Sequence, residues 1–467
     1  MNTQPTIGIL PLYLKLYDDA MPTIRASFEP FLSEVVIGFC DRGVACRTAP
    51  ISRTESEVGA AIDLFKKSNV DLIVTLHLAY SPSLAAASHL ANAGIPILML
   101  DTTMDESFGV DVDPARLMFN HGIHGVQDLA SVLRRQGKPI EIVAGHYRES
   151  DVLDRAAGHA RAAFAARALR NSKSMRIGAR FEGMGDFDVA ESVLRDKLGI
   201  ETVQHEVTSI EKHIDAITDS DIASEITLDS QRFCVTAPRE VHERSVRVGL
   251  ALRKLIDTEQ FSAFSMNFLA FDSPTRPANV VPFLEASKAM ARGIGYAGEG
   301  DVLTACLVGA LQRAFGETTF TEIFCPDWEG DSLFISHMGE VNPATAADQP
   351  LLCEKDFPWT PALNPVILTC APKPGPATLV NLAPGPNDSF SLIVAPMHVL
   401  GDGSNPAVQE MIRGWIRPRI PMARFLEAYS RAGGTHHKAL VLGDQFEALC
   451  AFGRYAGLEI VTIGTTE

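Results

Sequence analysis

The chain has 467 residues, 46% of them hydrophobic and 21% charged, which is the profile of an ordinary globular protein too long for one core, so two to four domains are expected. Lysine and arginine number 41 against 57 aspartates and glutamates, a formal charge of −16, which argues against nucleic acid or an anionic membrane surface as a main partner. No apolar run approaches the roughly 20 residues of a membrane span. The first residues lack the basic start and long apolar stretch of a secretory signal. Eight cysteines without a CxxC pair suit reduced thiols, and a cytoplasmic protein is expected.

The first third alternates short apolar strands with helices. Strands are predicted at 6–10, 44–46, 71–76, 95–100 and 139–144, and helices at 24–39, 55–68, 83–93, 120–135 and 150–169. Such alternation predicts a parallel, doubly wound sheet with ligands beyond the strand C-termini, at 11–18, 77–82 and 101–105. With no GxGxxG, a dinucleotide is not suggested. The polar run 171–174 marks a boundary, after which the rhythm restarts: strands at 175–179, 202–207 and 261–266, helices at 189–198, 240–257 and 281–292. A glycine-flanked loop at 295–300 follows, and Asp301 caps a helix running to Phe315. From there, short alternating runs at 318–324, 332–337, 377–382 and 389–394 predict an antiparallel sheet or barrel, with helices at 422–430 and 444–456 and a last strand at 458–463. The expected domains are therefore 1–172 and 173–316, both doubly wound α/β (Rossmann- or flavodoxin-like), and 317–467, an antiparallel β-barrel.

Four places carry chemistry. Glu299 lies between glycines just ahead of a helix N-terminus, where an acid is either a simple dipole partner or part of a site needing close backbone approach. Strand alternation puts Glu322 on one face with Phe320 and Phe324, and His337 on the face of Leu333 and Ile335. A charge on such a face is costly unless paired or metal-bound. His436 and His437 follow Gly433-Gly434-Thr435 in a tight loop. Two carboxylates with His337 and one of the tandem imidazoles suit a six-coordinate divalent ion with open water positions, manganese being favoured over magnesium by the nitrogens.

At these residues the chain resembles the L-arabinose isomerase family of the arabinose/fucose isomerase group. The resemblance rests on Gly295 to Ala305, Thr319 to Glu322, Ser336 to Val341 and Gly433 to His437, in order, with weaker echoes at Leu76 to Pro82, Phe119 to Gly125 and Ser265 to Phe268. It implies two α/β domains and a C-terminal barrel. It also implies Mn2+, or another divalent cation such as Mg2+ or Co2+, held by Glu299, Glu322, His337 and His437, with Glu299 and Glu322 moving protons between C1 and C2 of a sugar through a cis-enediol. A homo-oligomer, hexamer or trimer, is implied too, with the active site at a subunit contact and His124 contributed by a neighbouring copy.

The sugar-reading positions depart from the family. Leu14 stands where the family carries a glutamine, with Lys15 beside it, and His121 replaces an amide. Together with His124, Phe268 and His436 these are the expected substrate contacts. The expectation is an aldose–ketose isomerase whose sugar is not L-arabinose; the alternative is a sugar-binding or sensing protein that turns nothing over.

Overall fold

The computed structural model describes residues 4–402 and 406–465. The chain forms two compact units, one ending at Arg167 and one beginning at Ala168.

The first unit is a five-stranded parallel sheet of β1 (Thr6–Leu12), β2 (Ala45–Thr48), β3 (Leu72–His77), β4 (Ile97–Asp101) and β5 (Glu141–Ala144), in the order β2-β1-β3-β4-β5. β1 and β3 are buried along their whole length, as their unbroken apolar sequences require of strands covered on both faces. The expected helix at 83–93 is instead a 3-10 turn, Ser83–Ala85, and a short helix, Ala87–Ala91. Asp128 accepts hydrogen bonds from the Ser83 N–H and hydroxyl at 3.0 and 2.9 Å, tying down the start of the segment.

The second unit begins with β6 (Lys173–Ile177), β7 (Glu201–His205), the two-residue β8 (Cys234–Val235), β9 (Ala263–Met266) and β10 (Gly295–Gly298); a parallel sheet runs β10-β9-β6-β7. Two helices absent from the sequence reading, Val207–Ile214 and Asp219–Arg232, lie between β7 and β8. The second carried a legible signal: Thr218 and Asp221 form a capping box. The stretch read as a glycine loop is largely strand β10, and only Glu299 and Gly300 turn the chain. Glycine is required there by close packing: a Cβ on Gly295 would sit 2.0 Å from the Ala305 carbonyl of the following helix, Val302–Phe315.

The remainder supplies β11 (Thr318–Asp327), β12 (Ser332–Ser336), β13 (Leu351–Glu354), β14 (Val366–Thr369), β15 (Gly375–Pro384), β16 (Phe390–Leu400), β17 (Gly414–Pro418), β18 (His437–Leu442) and β19 (Glu459–Thr462). The antiparallel order β15-β18-β11-β12-β17-β16 closes through pairing of β16 with β15, giving a six-stranded barrel with β19 added parallel to β16. Leu333, Ile335, Leu379, Ile393, Val399, Ile416 and Leu440 are among the buried side chains of its core. A separate small sheet, β14-β13-β8, joins the two halves of this unit, with Leu352 opposite Val235. One expectation fails locally. Phe324 does not share a buried face with Phe320; it is exposed, because the register of β11 against β12 shifts between Ile323 and Cys325.

Among the described residues no helix is long and apolar enough to cross a membrane.

Candidate metal centre

The site is set by strand register. β11 runs between β12 and β18, and Glu322 pairs directly with Ser336 on one side and His437 on the other. One strand position therefore brings Glu322 Oε1 to 2.9 Å from His437 Nε2 and 3.6 Å from His337 Nε2. Glu299 reaches the same place from the second α/β sheet, its Oε2 3.3 Å from His437 Nε2. Its backbone is in the left-handed region, with φ 63°, a conformation that costs a non-glycine residue on the order of 1 kcal/mol and recurs at functional sites. Gly298 just before it has a steric reason: a Cβ there would lie 2.9 Å from His337 Cε1.

Two buried carboxylates outside this cluster fix the imidazoles. Asp301 caps the helix Val302–Phe315 by accepting from the Thr304 N–H at 2.9 Å, and its other oxygen is 2.9 Å from His437 Nδ1. Glu340 is 2.7 Å from His337 Nδ1 and accepts from the Gly339 N–H and the Tyr296 hydroxyl. With each Nδ1–H committed to a carboxylate, each Nε2 presents a lone pair inward.

That geometry leaves an excess of acceptors. His437 Nε2 faces the oxygens of Glu299 and Glu322, and both His437 Nε2 and Glu299 Oε2 are buried without a hydrogen-bond partner. Lone pairs that converge in this way repel one another unless a cation or a proton lies between them. The protein's own recourse is protonation: burial pushes the His437 imidazole down, but Asp301, Glu299 and Glu322 outweigh it and hold it well above its usual range. Burial likewise pushes the Glu299 carboxyl up, and His436 and His437 outweigh it and hold it well below the usual range. The donors are carboxylate oxygens and imidazole nitrogens, which fits a divalent ion such as Mn2+.

Glu299, Glu322, His436 and His437 each place one donor atom within 4.8 Å of the others. His337 stands beside this set rather than in it, and its ring packs against Phe320 as does that of His437. His436 is half-exposed, its Nε2 3.7 Å from both Glu299 and Glu322. Phe268 follows β9, its ring 5.7 Å from Phe181, whose N–H donates to the Glu299 carbonyl. Leu14, Lys15, His121 and His124 belong to the first unit: Leu14 and Lys15 cap and start the short helix Lys15–Ala20 after β1, and His121 and His124 lie before and at the start of the helix Ile123–Arg135; Lys15 and His124 are exposed, and His121 Nε2 is 3.0 Å from the Tyr17 hydroxyl.

Residues 170–316 match the family described as L-arabinose isomerase central domain, and residues 317–459 the L-arabinose isomerase C-terminal domain. The chain belongs to the L-arabinose isomerase family. Curated L-arabinose isomerases align over most of its length: that of Acidothermus cellulolyticus is 27% identical across 84% of this chain and 80% of its own, and that of Erwinia tasmaniensis is 25% identical across 89% and 85%. The L-arabinose isomerase of Herpetosiphon aurantiacus is 24% identical across 85% and 81%.

Sequence reasoning missed Glu340, Asp186, Phe187 and the second role of Asp301. Glu340 had a signal, three residues after His337. Asp186 and Phe187 had none, because they lie in a loop 250 residues from the histidines they meet.

Proposed function

We propose that this protein is a divalent-metal-dependent aldose–ketose isomerase acting on a sugar other than L-arabinose. The observation that carries the reading is the convergence of Glu299, Glu322 and His437 Nε2 on one point, in a chain of the L-arabinose isomerase family. Glu299, Glu322, His337 and His437 would hold the ion, with His436 close enough to join them. When bound, the ion supplies Lewis-acid polarisation of the sugar's carbonyl and adjacent hydroxyl.

The residues supply the proton path. One of Glu299 and Glu322, ionised at neutral pH, takes the proton from C2 of the aldose while the other manages the proton moving between O2 and O1. Return of the first proton to C1 of the cis-enediol gives the ketose. Buried backbone and side-chain contacts limit reorganisation: the strand pairing of Glu322 and the strained turn at Glu299 keep both carboxylates in place. Leu14 in place of the family's glutamine, Lys15 beside it and His121 in place of an amide support a changed sugar. We also propose that the protein is a homo-oligomer, which sedimentation measures directly.

The test is a panel of aldoses and ketoses in D2O with Mn2+, Mg2+ or chelator, read by NMR. Metal-dependent conversion with deuterium entering the product at C1 or C2 is expected, and Glu299→Gln or Glu322→Gln abolishes it. Conversion without deuterium exchange would favour a hydride shift. Binding without conversion, equal with and without metal, would make this a sugar-binding protein instead.

A further inference from the structure

The loop joining β6 to the helical turn at Glu191–Val193 carries two adjacent side chains that meet the two adjacent histidines. Asp186 Oδ2 accepts from the His436 backbone N–H at 2.8 Å and lies 2.7 Å from His436 Nδ1. Phe187 is buried, its ring stacked on that of His437 at 5.2 Å with only 9° between the planes, and tilted against His436 at 5.7 Å. The loop is itself held: Phe181 N–H donates to the Glu299 carbonyl at 2.9 Å, and Arg180 pairs with Asp188 at 3.0 Å. The opposite side of the histidine turn is pinned from within the barrel, where the buried Lys438 ammonium donates to the Thr435 and His436 carbonyls.

We propose that Asp186 and Phe187 are positioning residues for the tandem imidazoles, a role that rests on the metal-centre reading above. Asp186 commits His436 Nδ1–H and so aims Nε2 between Glu299 and Glu322. Phe187 fixes the plane of His437 by covering one face of its ring. Neither touches the reacting atoms. Orientation of a ligand ring by an outer partner typically changes metal affinity about 10–100-fold.

The experiment is a Mn2+ titration of the full chain, with free ion read by electron paramagnetic resonance, which needs no sugar. Asp186→Ala is expected to weaken Mn2+ binding at least tenfold. Asp186→Asn, which keeps an oxygen for both His436 donors, should stay within about threefold of the parent. In the His436→Gln background, Asp186→Ala should cause no further loss, because its effect runs through that ring. Phe187→Ala should weaken binding as well, and Phe187→Tyr, which retains the stacked ring, should restore it. A thermal midpoint measured on each variant separates loss of fold from loss of orientation.

Unchanged Mn2+ affinity in Asp186→Ala, additive losses in the double variant, or an Asp186→Asn variant as weak as the alanine would overturn the proposal while leaving the isomerase reading intact. The predicted Mn2+ pattern in a protein that converts no sugar would uphold the positioning role and sink the isomerase reading. A parent chain that binds no Mn2+ would remove both.

Discussion

Asp301 serves two masters, and a single substitution separates them. Asp301→Asn keeps a carbonyl oxygen that can accept from the Thr304 N–H, so the cap on the helix Val302–Phe315 is largely preserved; complete loss of such a cap costs about 1 kcal/mol. The new amide, however, presents an N–H toward His437 Nδ1, where the carboxylate presented an acceptor. The ring then accepts at Nδ1 and carries its proton on Nε2, the atom 2.9 Å from Glu322 and 3.3 Å from Glu299. In that tautomer it can donate to either carboxylate but cannot ligate an ion. The expected result in metal-free protein is loss of the buried His437–Asp301 charge pair, on the order of 3 kcal/mol, with the cap kept, and Mn2+ affinity falling by at least a factor of about ten. Chemical denaturation and calorimetric titration measure the two quantities. Asp301→Ala should lose both, since it removes the cap and leaves a buried imidazole N–H unpaired, at about 1–3 kcal/mol. An Asn variant that binds Mn2+ as tightly as the parent would refute the tautomer argument.

Three further outcomes are expected. Glu299→Asn should abolish Mn2+ binding in a calorimetric titration by removing one of the converging carboxylate oxygens, while the eased backbone at φ 63° returns on the order of 1 kcal/mol against the pairing lost with His436 and His437. In the first unit, burial pushes the fully enclosed His77 down to about 4 from an ordinary 6.5. The unfolded chain thus takes up this proton first, so the stability attached to neutral His77 is intact above pH 6.5 and lost as pH falls toward 4, by about 3 kcal/mol in all. His77→Gln should remove that share of the pH dependence, and identical slopes for parent and variant between pH 6.5 and 4.5 would contradict it. Finally, the buried Lys288 pairs with Glu225 and Asp229, so Lys288→Met leaves Glu225 with Arg253 and Asp229 with His242 and should cost about 3 kcal/mol by denaturant titration.

The α/β rhythm and the barrel strands bordering the site were legible because period-two and period-3.6 patterns survive in single segments. Glu322 and His337 stood out as ligand types on strands expected to be half-buried, and Glu299 stood out between glycines. The register that places Glu322 opposite His437 was not legible, since antiparallel pairing of distant strands leaves no local trace. The bulge that exposes Phe324 was hidden for a related reason: it depends on how β12 pairs, not on the β11 sequence. The Gly295–Gly298 stretch misled because glycine normally marks a turn, whereas here absent side chains let a strand lie against a helix. Asp186 and Phe187 sit in irregular chain whose partners are set only by the closed structure.

The short pairing of β8 with β13 bears on how the chain is made. Val235 finds Leu352 only after about 120 more residues have been synthesised, a wait of roughly 6–25 s at ordinary ribosomal speeds. The small sheet that holds β8 therefore stays open while the chain grows, and the contacts of Asp186 with His436 must wait for 250 further residues. Truncated or prematurely released chains would carry the two α/β sheets without the strands that bring Glu322 and His437 together, a state in which chaperone capture competes with completion of the barrel.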